Sequence, residues 1–148
     1  MTDQDRARFD ALLEQALANL PQGVRSVIEE ISLVVDDHPE PELISSLYDE
    51  LAQARGEDLE QFAKGLCGLH TGIALTDRTV DDTGALPTEI RIFRDGIIHV
   101  AGGWEAASDE ASSEVDDAIY DEIVITILHE VGHHFGLEEE DLENLGFA

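Results

Sequence analysis

The 148-residue sequence contains one cysteine, one lysine and one methionine, and only eight basic side chains in all. Because Cys67 is the only thiol, no internal disulfide can form and nothing points to an oxidising compartment. The uninterrupted apolar runs are short, far from the roughly 20 residues that cross a bilayer. The first ten residues, "MTDQDRARFD", are charged and lack the apolar core of a signal peptide. These absences predict a cytoplasmic protein with no membrane association.

Positive charge is scarce, whereas acidic charge is abundant. Thirty-four acidic residues against eight basic ones give a formal net charge of -26. Such a surface repels the phosphates of nucleic acid and anionic lipids, so neither is expected as a partner. It favours a basic partner or a polycationic substrate, although a general acidic surface in a salty cytoplasm explains the same balance. A hydrophobic fraction of 43% and this length predict one globular domain over residues 1–148.

The N-terminal third is predicted to be mainly helical. Residues 2–20 carry apolar side chains at helical spacing, with Thr2 and Asp5 placed to form a capping box. A second, shorter helix is expected to follow Pro21 and Gly23. The β-branched run "ISLVV" at 31–35 predicts a strand, and residues 42–66 read as helical with a break at Gly56.

The middle of the chain gives weaker signals, which favour short strands. Residues 70–75 are predicted to form one, and 76–87 a loop rich in Gly, Pro and Asp. In "EIRIFRDGIIHVA", two β-rich runs flank Asp95-Gly96, a pair typical of a type I′ turn, and this predicts a β-hairpin. Helices together with a small mixed sheet predict an α+β fold.

The last helix is expected to begin near Ser113, with Ser113 and Asp116 as a second capping box. Its apolar stripe is wide, which predicts a helix packed deep in the domain. The stripe comprises Ile119 or Tyr120, Ile123, Val124, Ile127, Leu128, Val131 and Phe135. Gly136 follows, at the position where a left-handed glycine ends a helix and turns the chain back.

The end of this helix carries the sequence "HEVGHHFGLEE". His129 and His133 are four residues apart, so both imidazoles can reach one tetrahedral metal ion from the same helix face. Glu130 is then positioned to contact a water on the open coordination site, which is the physical sense of H-E-x-x-H. The alternative is two histidines stabilised by the dipole at a helix C-terminus.

A third ligand is needed, and only fifteen residues follow His133, which favours a nearby carboxylate. Glu139, three residues beyond Gly136, is best placed to return to the metal, with Glu138 and Glu140 as alternatives. His134 points about 100° away from His133, so a packing or supporting role is more consistent than ligation.

The string H-E-x-x-H-x-x-G-x-x-E is similar to the metzincin signature. The longer run "LHEVGHHFGLEEEDLENLG", with "LPTEIRIF" at 86–93 and "ISLVVDDHP" at 31–39, resembles the small bacterial zincin-like metallopeptidases, or minimal zincins. That family usually has aspartate where this chain has Glu139. The resemblance implies N-terminal helices and a small mixed sheet packed on a C-terminal active-site helix. It also implies that no methionine turn is needed, and the only methionine here is Met1.

The motif and the resemblance predict a zinc-dependent peptidase. Zn²⁺ would be held by His129, His133 and Glu139, with Glu130 as general base and a peptide or protein as substrate. The strand on one side of Asp95-Gly96 is expected to pair with an extended peptide. The alternative is a zinc-binding interaction module with little turnover, whose acidic surface binds a basic partner. The sequence leaves the oligomeric state open.

Overall fold

The computed structural model describes residues 1–49, 58–71, 88–104, 112–137, 140–141 and 144. Within these residues, none of the helices is both long enough and apolar enough to cross a bilayer. The described elements follow one another as α1 (Asp3–Asn19), α2 (Gln22–Glu30), β1 (Ser32–Asp36), α3 (Pro41–Leu47), α4 (Leu59–Gly65), β2 (Gly68–Thr71), β3 (Glu89–Phe93), α5 (Arg94–Val100) and α6 (Ser112–His134). Helices with a small mixed sheet confirm the predicted α+β class.

Helix α1 begins with the predicted capping box. The Thr2 hydroxyl accepts a hydrogen bond from the Asp5 amide, and the Asp5 carboxylate accepts one from the Thr2 amide, each at 3.1 Å. These bonds satisfy donors that a helix start otherwise leaves unpaired. Phe9, Leu13 and Ala16 are buried at helical spacing and face the core, where α1 packs on α6.

The three strands form a sheet in the order β1-β3-β2. β1 runs parallel to β3, whereas β2 pairs with β3 in antiparallel fashion. The prediction for β1 is confirmed with a shift of one residue. β2 begins at Gly68, before the predicted start at His70, and 72–75 lie outside the described residues. β3 is central, with Ile90 and Ile92 fully buried, so the sheet is anchored in the core through β3.

The predicted hairpin at Asp95-Gly96 is wrong, because residues 94–100 form the helix α5. Among the described glycines, positive φ occurs at Gly102, Gly103 and Gly136, so Gly96 makes no type I′ turn. A Cβ at position 96 would lie 1.9 Å from the Leu66 carbonyl oxygen. Glycine is therefore required here by close approach of two backbones. Ile97, predicted to lie on the second strand, is instead a fully buried helical residue.

An ion-pair network fixes α1 and the start of α5 to the end of β1. Arg94 contacts Asp10 and Asp37 at 3.0 Å each, and Arg6 contacts the same Asp37 at 2.7 Å. Hydrogen bonding from Arg6, supplemented by Arg94, holds the pKa of Asp37 below its usual value despite partial burial. The network therefore joins three elements that are far apart in sequence.

Helix α6 supplies four of the buried apolar side chains of the described core. Ile119, Ile123, Ile127 and Val131 are buried, as the periodicity predicts. Phe135 was also expected in this stripe, but its side chain is 45% exposed because the helix ends at His134.

The start of α6 also differs in detail from its prediction. The helix starts at Ser112, so Ser113 lies within its first turn, and the Asp116 carboxylate accepts a hydrogen bond from Trp104 Nε1 at 2.9 Å. The predicted 42–66 helix corresponds to α3 and α4, and its break at Gly56 lies outside the described residues.

Candidate metal centre

The last two turns of α6 bring together His129, Glu130 and His133. One nitrogen of each imidazole and a carboxylate oxygen of Glu130 all lie within 4.8 Å of one another. The two Nε2 atoms are 3.1 Å apart. Both histidines are half-buried, whereas Glu130 is only 6% exposed. The helix therefore presents two imidazole nitrogens to one point, with a buried carboxylate beside them.

The end of the helix orients His133. Gly136 has a φ of 82°, and its amide donates to the His133 carbonyl while the Leu137 amide donates to the Gly132 carbonyl. This pair of bonds is the Schellman motif, and it confirms the predicted helix stop. The turn places the Leu137 carbonyl oxygen 3.0 Å from His133 Nδ1. Since a carbonyl only accepts, Nδ1 is the donor in this contact, and Nε2 is the ring nitrogen that faces His129.

Strand β2 crosses α6 directly over Glu130. A Cβ on Gly68 would lie 2.8 Å from Thr126 Cγ2 and 3.2 Å from Glu130 Cγ. Only a glycine permits this approach without a shift of the strand or the helix. The crossing buries Thr126 and Glu130 and so removes the Glu130 carboxylate from bulk water. No sequence pattern indicated a role for Gly68, because that role depends on a contact between distant segments.

His134 lies on the same covered face of α6. It is 3% exposed, and its Nδ1 is 3.4 Å from His70 Nε2 on β2. Among the described residues, the group that could hold a metal ion consists of His129, Glu130 and His133, without His134. This position agrees with the packing role expected for His134.

Of the alternatives for a third ligand, Glu138 and Glu139 lie outside the described residues. Glu140 is described; it is exposed and does not belong to the group around His129. Tyr120 accepts a hydrogen bond from Asn19 on α1 at 2.9 Å, some three turns before the motif. It is therefore a packing residue at the α1–α6 contact.

Two further titratable side chains near the contact between β2 and α6, Cys67 and Glu122, had not been given a role from the sequence. The Cys67 thiol, just before β2, is influenced by Thr126, Glu122 and Glu130, and burial raises its pKa to about 12. Burial also raises the pKa of Glu122. One sequence signal pointed to this side of the helix. Four polar residues recur at four-residue intervals, namely Glu122, Thr126, Glu130 and His134.

The donor set fits a zinc ion. Two nitrogens about 2.0–2.1 Å from one tetrahedral zinc lie about 3.3 Å apart, close to the separation of the two Nε2 atoms. Imidazole and carboxylate ligands suit zinc, and the carbonyl bond to His133 Nδ1 is the usual support for a ligating histidine. The residues present are therefore chemically and sterically suited to the metal.

Comparison with known families agrees with this geometry. The model of the zincin-like metallopeptidase family matches residues 28–147. The match spans most of the chain, from α2 to beyond α6, and the chain belongs to this family. A metal and a peptide or protein substrate are what that family implies. No curated protein matches the chain at a significant level.

Proposed function

We propose that this protein is a zinc-dependent peptidase in which His129, His133 and Glu139 hold the metal and Glu130 is the general base. The observation that carries the proposal is the buried Glu130 carboxylate within 4.8 Å of the two imidazole nitrogens. A site that only held zinc for structural reasons would need four closing ligands and no such carboxylate.

When bound, zinc acts as a Lewis acid that lowers the pKa of a coordinated water toward about 7 and polarises the scissile carbonyl. Glu130 accepts the proton of the attacking water and passes it to the leaving amine. Its burial under Gly68 keeps other water away from the carboxylate during this transfer. The Leu137 carbonyl holds His133 in the tautomer that ligation requires.

The sequence predicted that a strand beside Asp95-Gly96 pairs with the substrate, and the structure does not favour that position. Strand β3 is central, with β1 and β2 on its two sides, and the segment after Asp95 is helical. Strand β2 instead lies over α6 beside Glu130. We place an extended peptide along β2, where main-chain hydrogen bonds give affinity for many sequences.

The ligand assignment is tested by zinc binding. Glu139→Ala is expected to weaken zinc affinity by more than about 100-fold, beyond the 10–100-fold range for loss of a supporting contact. Glu138→Ala and Glu140→Ala are matched controls with the same change in charge and should retain zinc. If one of these controls loses zinc while Glu139→Ala retains it, the third ligand is that residue instead.

The alternative is a zinc-holding module that binds a basic partner without turnover. The observation in its favour is that Arg6, Arg8, Lys64, Arg91 and Arg94 are all paired with acidic side chains, on a chain of net charge -26. A zinc-loaded sample incubated with a diverse peptide library separates the two functions. Cleavage supports the peptidase, whereas peptide binding without cleavage supports the module.

We also propose that residues 1–148 form one domain. Helix α1, from the beginning of the chain, packs on α6, from its end. Limited proteolysis that releases a stable fragment lacking α1 would contradict this.

A further inference from the structure

Two residues of β2 contact α6 around Glu130. Gly68 and His70 are two residues apart, so they lie on the same face of the strand. A Cβ added to Gly68 would lie 2.8 Å from Thr126 Cγ2 and 3.2 Å from Glu130 Cγ. His70 Nε2 lies 3.4 Å from His134 Nδ1. The strand is therefore attached to the helix at two points, and Glu130 lies between Thr126 and His134 along the helix axis.

The two contacts are spaced alike on the strand and on the helix. Two residues of strand span about 7 Å. The single helical turn from Glu130 to His134 spans about 6 Å along the axis. Strand and helix therefore run side by side over this stretch. One contact alone would allow the strand to pivot on the helix, whereas two contacts fix both its direction and its register.

The contact between the two histidines is buried and directional. His134 is 3% exposed, and the centroids of the two rings are 5.5 Å apart with the ring planes at 60°. A polar ring removed from water is costly unless it is hydrogen-bonded, and at 3.4 Å one ring can donate its N–H to the other. A slip of β2 by one residue would turn His70 to the opposite face of the strand. The histidine pair therefore selects one register of β2 on α6.

The register of β2 matters because the substrate peptide is placed along this strand. Among the described strands β2 lies at an edge of the sheet, since their order is β1-β3-β2. A peptide that pairs with an edge strand takes its position from that strand. We propose that His70 is a positioning residue, whose contact with His134 sets where the substrate main chain lies relative to Glu130 and the metal ligands. The inference rests on the proposed peptidase function and its substrate path.

The test compares His70→Gln with His70→Asn in the zinc-loaded protein. The glutamine amide ends as many bonds from the backbone as Nε2 and can donate or accept, whereas the asparagine amide ends one bond nearer and does not reach His134. A misplacement of about 1 Å can cost about 100-fold in rate, so His70→Asn should lower kcat by about 10- to 100-fold at unchanged zinc content. His70→Gln should stay within about threefold of the wild type. Tyr120→Phe, which removes a hydrogen bond between α1 and α6 far from the motif, is the control and should keep kcat.

A binding measurement gives a readout that needs no turnover. Acetohydroxamate contacts only the metal, whereas a set of tripeptide hydroxamates adds a main chain that can lie along β2. His70→Asn should weaken binding of the tripeptide hydroxamates about tenfold more than that of acetohydroxamate, and His70→Gln should not. The ratio of the two affinities reports the placement of the peptide separately from the state of the metal.

Equal kcat values in the wild type, His70→Gln and His70→Asn, or an equal loss in Tyr120→Phe, would overturn the positioning role and leave the peptidase function intact. If the wild type cleaves no peptide but tripeptide hydroxamate binding still depends on His70, the peptidase function fails and the positioning role stands. If the tripeptide hydroxamates bind no better than acetohydroxamate, or both lose affinity in parallel in His70→Asn, the positioning role fails.

Discussion

The two halves of α6 bury different kinds of side chain. Near its start, the helix buries Ile119 and Ile123 against α1 and the rest of the core. From Thr126 onward it also buries Thr126, Glu130 and His134, which are the buried polar residues of the described chain. The first half therefore holds the helix in place through apolar contact, and the second half keeps polar groups out of water where chemistry is proposed. Because α6 is one continuous helix, packing of its first half also fixes the position of its second half.

The largest effect is expected from removing the base in the second half. Glu130→Gln should lower kcat/KM by about 10²–10⁴-fold, the range for loss of general acid–base catalysis, while zinc content stays at one per chain. The measurement is peptide hydrolysis combined with metal analysis. Activity equal to that of the wild type at full zinc occupancy would exclude Glu130 as the base.

Shortening a buried side chain in the first half of α6 should lower the stability of the protein and leave kcat nearly unchanged. Ile123→Ala removes a fully buried side chain and is expected to destabilise the protein by about 2–5 kcal/mol, measured by denaturant unfolding. At temperatures where the variant remains folded, kcat should stay within a few-fold of the wild type. A large loss of kcat without loss of stability would show that the two halves do not divide the roles in this way.

The contact between β2 and the second half can be altered directly. Gly68→Ala would place a Cβ 2.8 Å from Thr126 Cγ2, and the resulting shift should cost about 1–3 kcal/mol of stability and lower activity with it. Gly65→Ala is the matched control, since nothing lies within 4 Å of its added Cβ. Equal effects at both positions would mean that the close crossing at Gly68 is unimportant.

The smallest effect concerns acid stability and lies away from α6. Because Arg6 and Arg94 lower the pKa of Asp37 in the folded state, the unfolded chain binds a proton here more readily. Asp37→Asn should therefore lose about 1–2 kcal/mol above about pH 5, with the gap to wild type shrinking as the pH falls through the folded pKa. Denaturant unfolding at several pH values measures it, with the exposed Asp3→Asn as control. A gap that grows in acid would contradict the assignment.

Features that depend on local pattern were predictable from the sequence. The capping box of Thr2, the strands at 32–36 and 89–93, the long final helix and its glycine stop all follow from short-range rules. The H-E-x-x-H spacing likewise identifies the approach of His129 and His133, because the helix alone fixes their separation.

Features that depend on contacts between distant segments were not predictable. Asp95-Gly96 has strong turn propensity, but Gly96 packs on the Leu66 backbone and Ile97 enters the core, so tertiary contact prevails over local preference. The apolar stripe predicted for α6 likewise leaves out Thr126 and Glu130, which are buried in the structure. Only the position of β2 reveals that this face is covered, and the assignment of Glu139 stays a prediction.

The hydrogen bond from His133 Nδ1 to the Leu137 carbonyl connects the end of the helix to a proposed metal ligand. A substitution at Gly136 that prevents the left-handed turn would move the Leu137 carbonyl oxygen away from His133. It would therefore change the metal affinity although all proposed ligand atoms are still present. We therefore expect related chains with the same H-E-x-x-H motif to differ in metal affinity through substitutions in this short turn. Such substitutions change the backbone conformation and leave the residues of the motif unchanged.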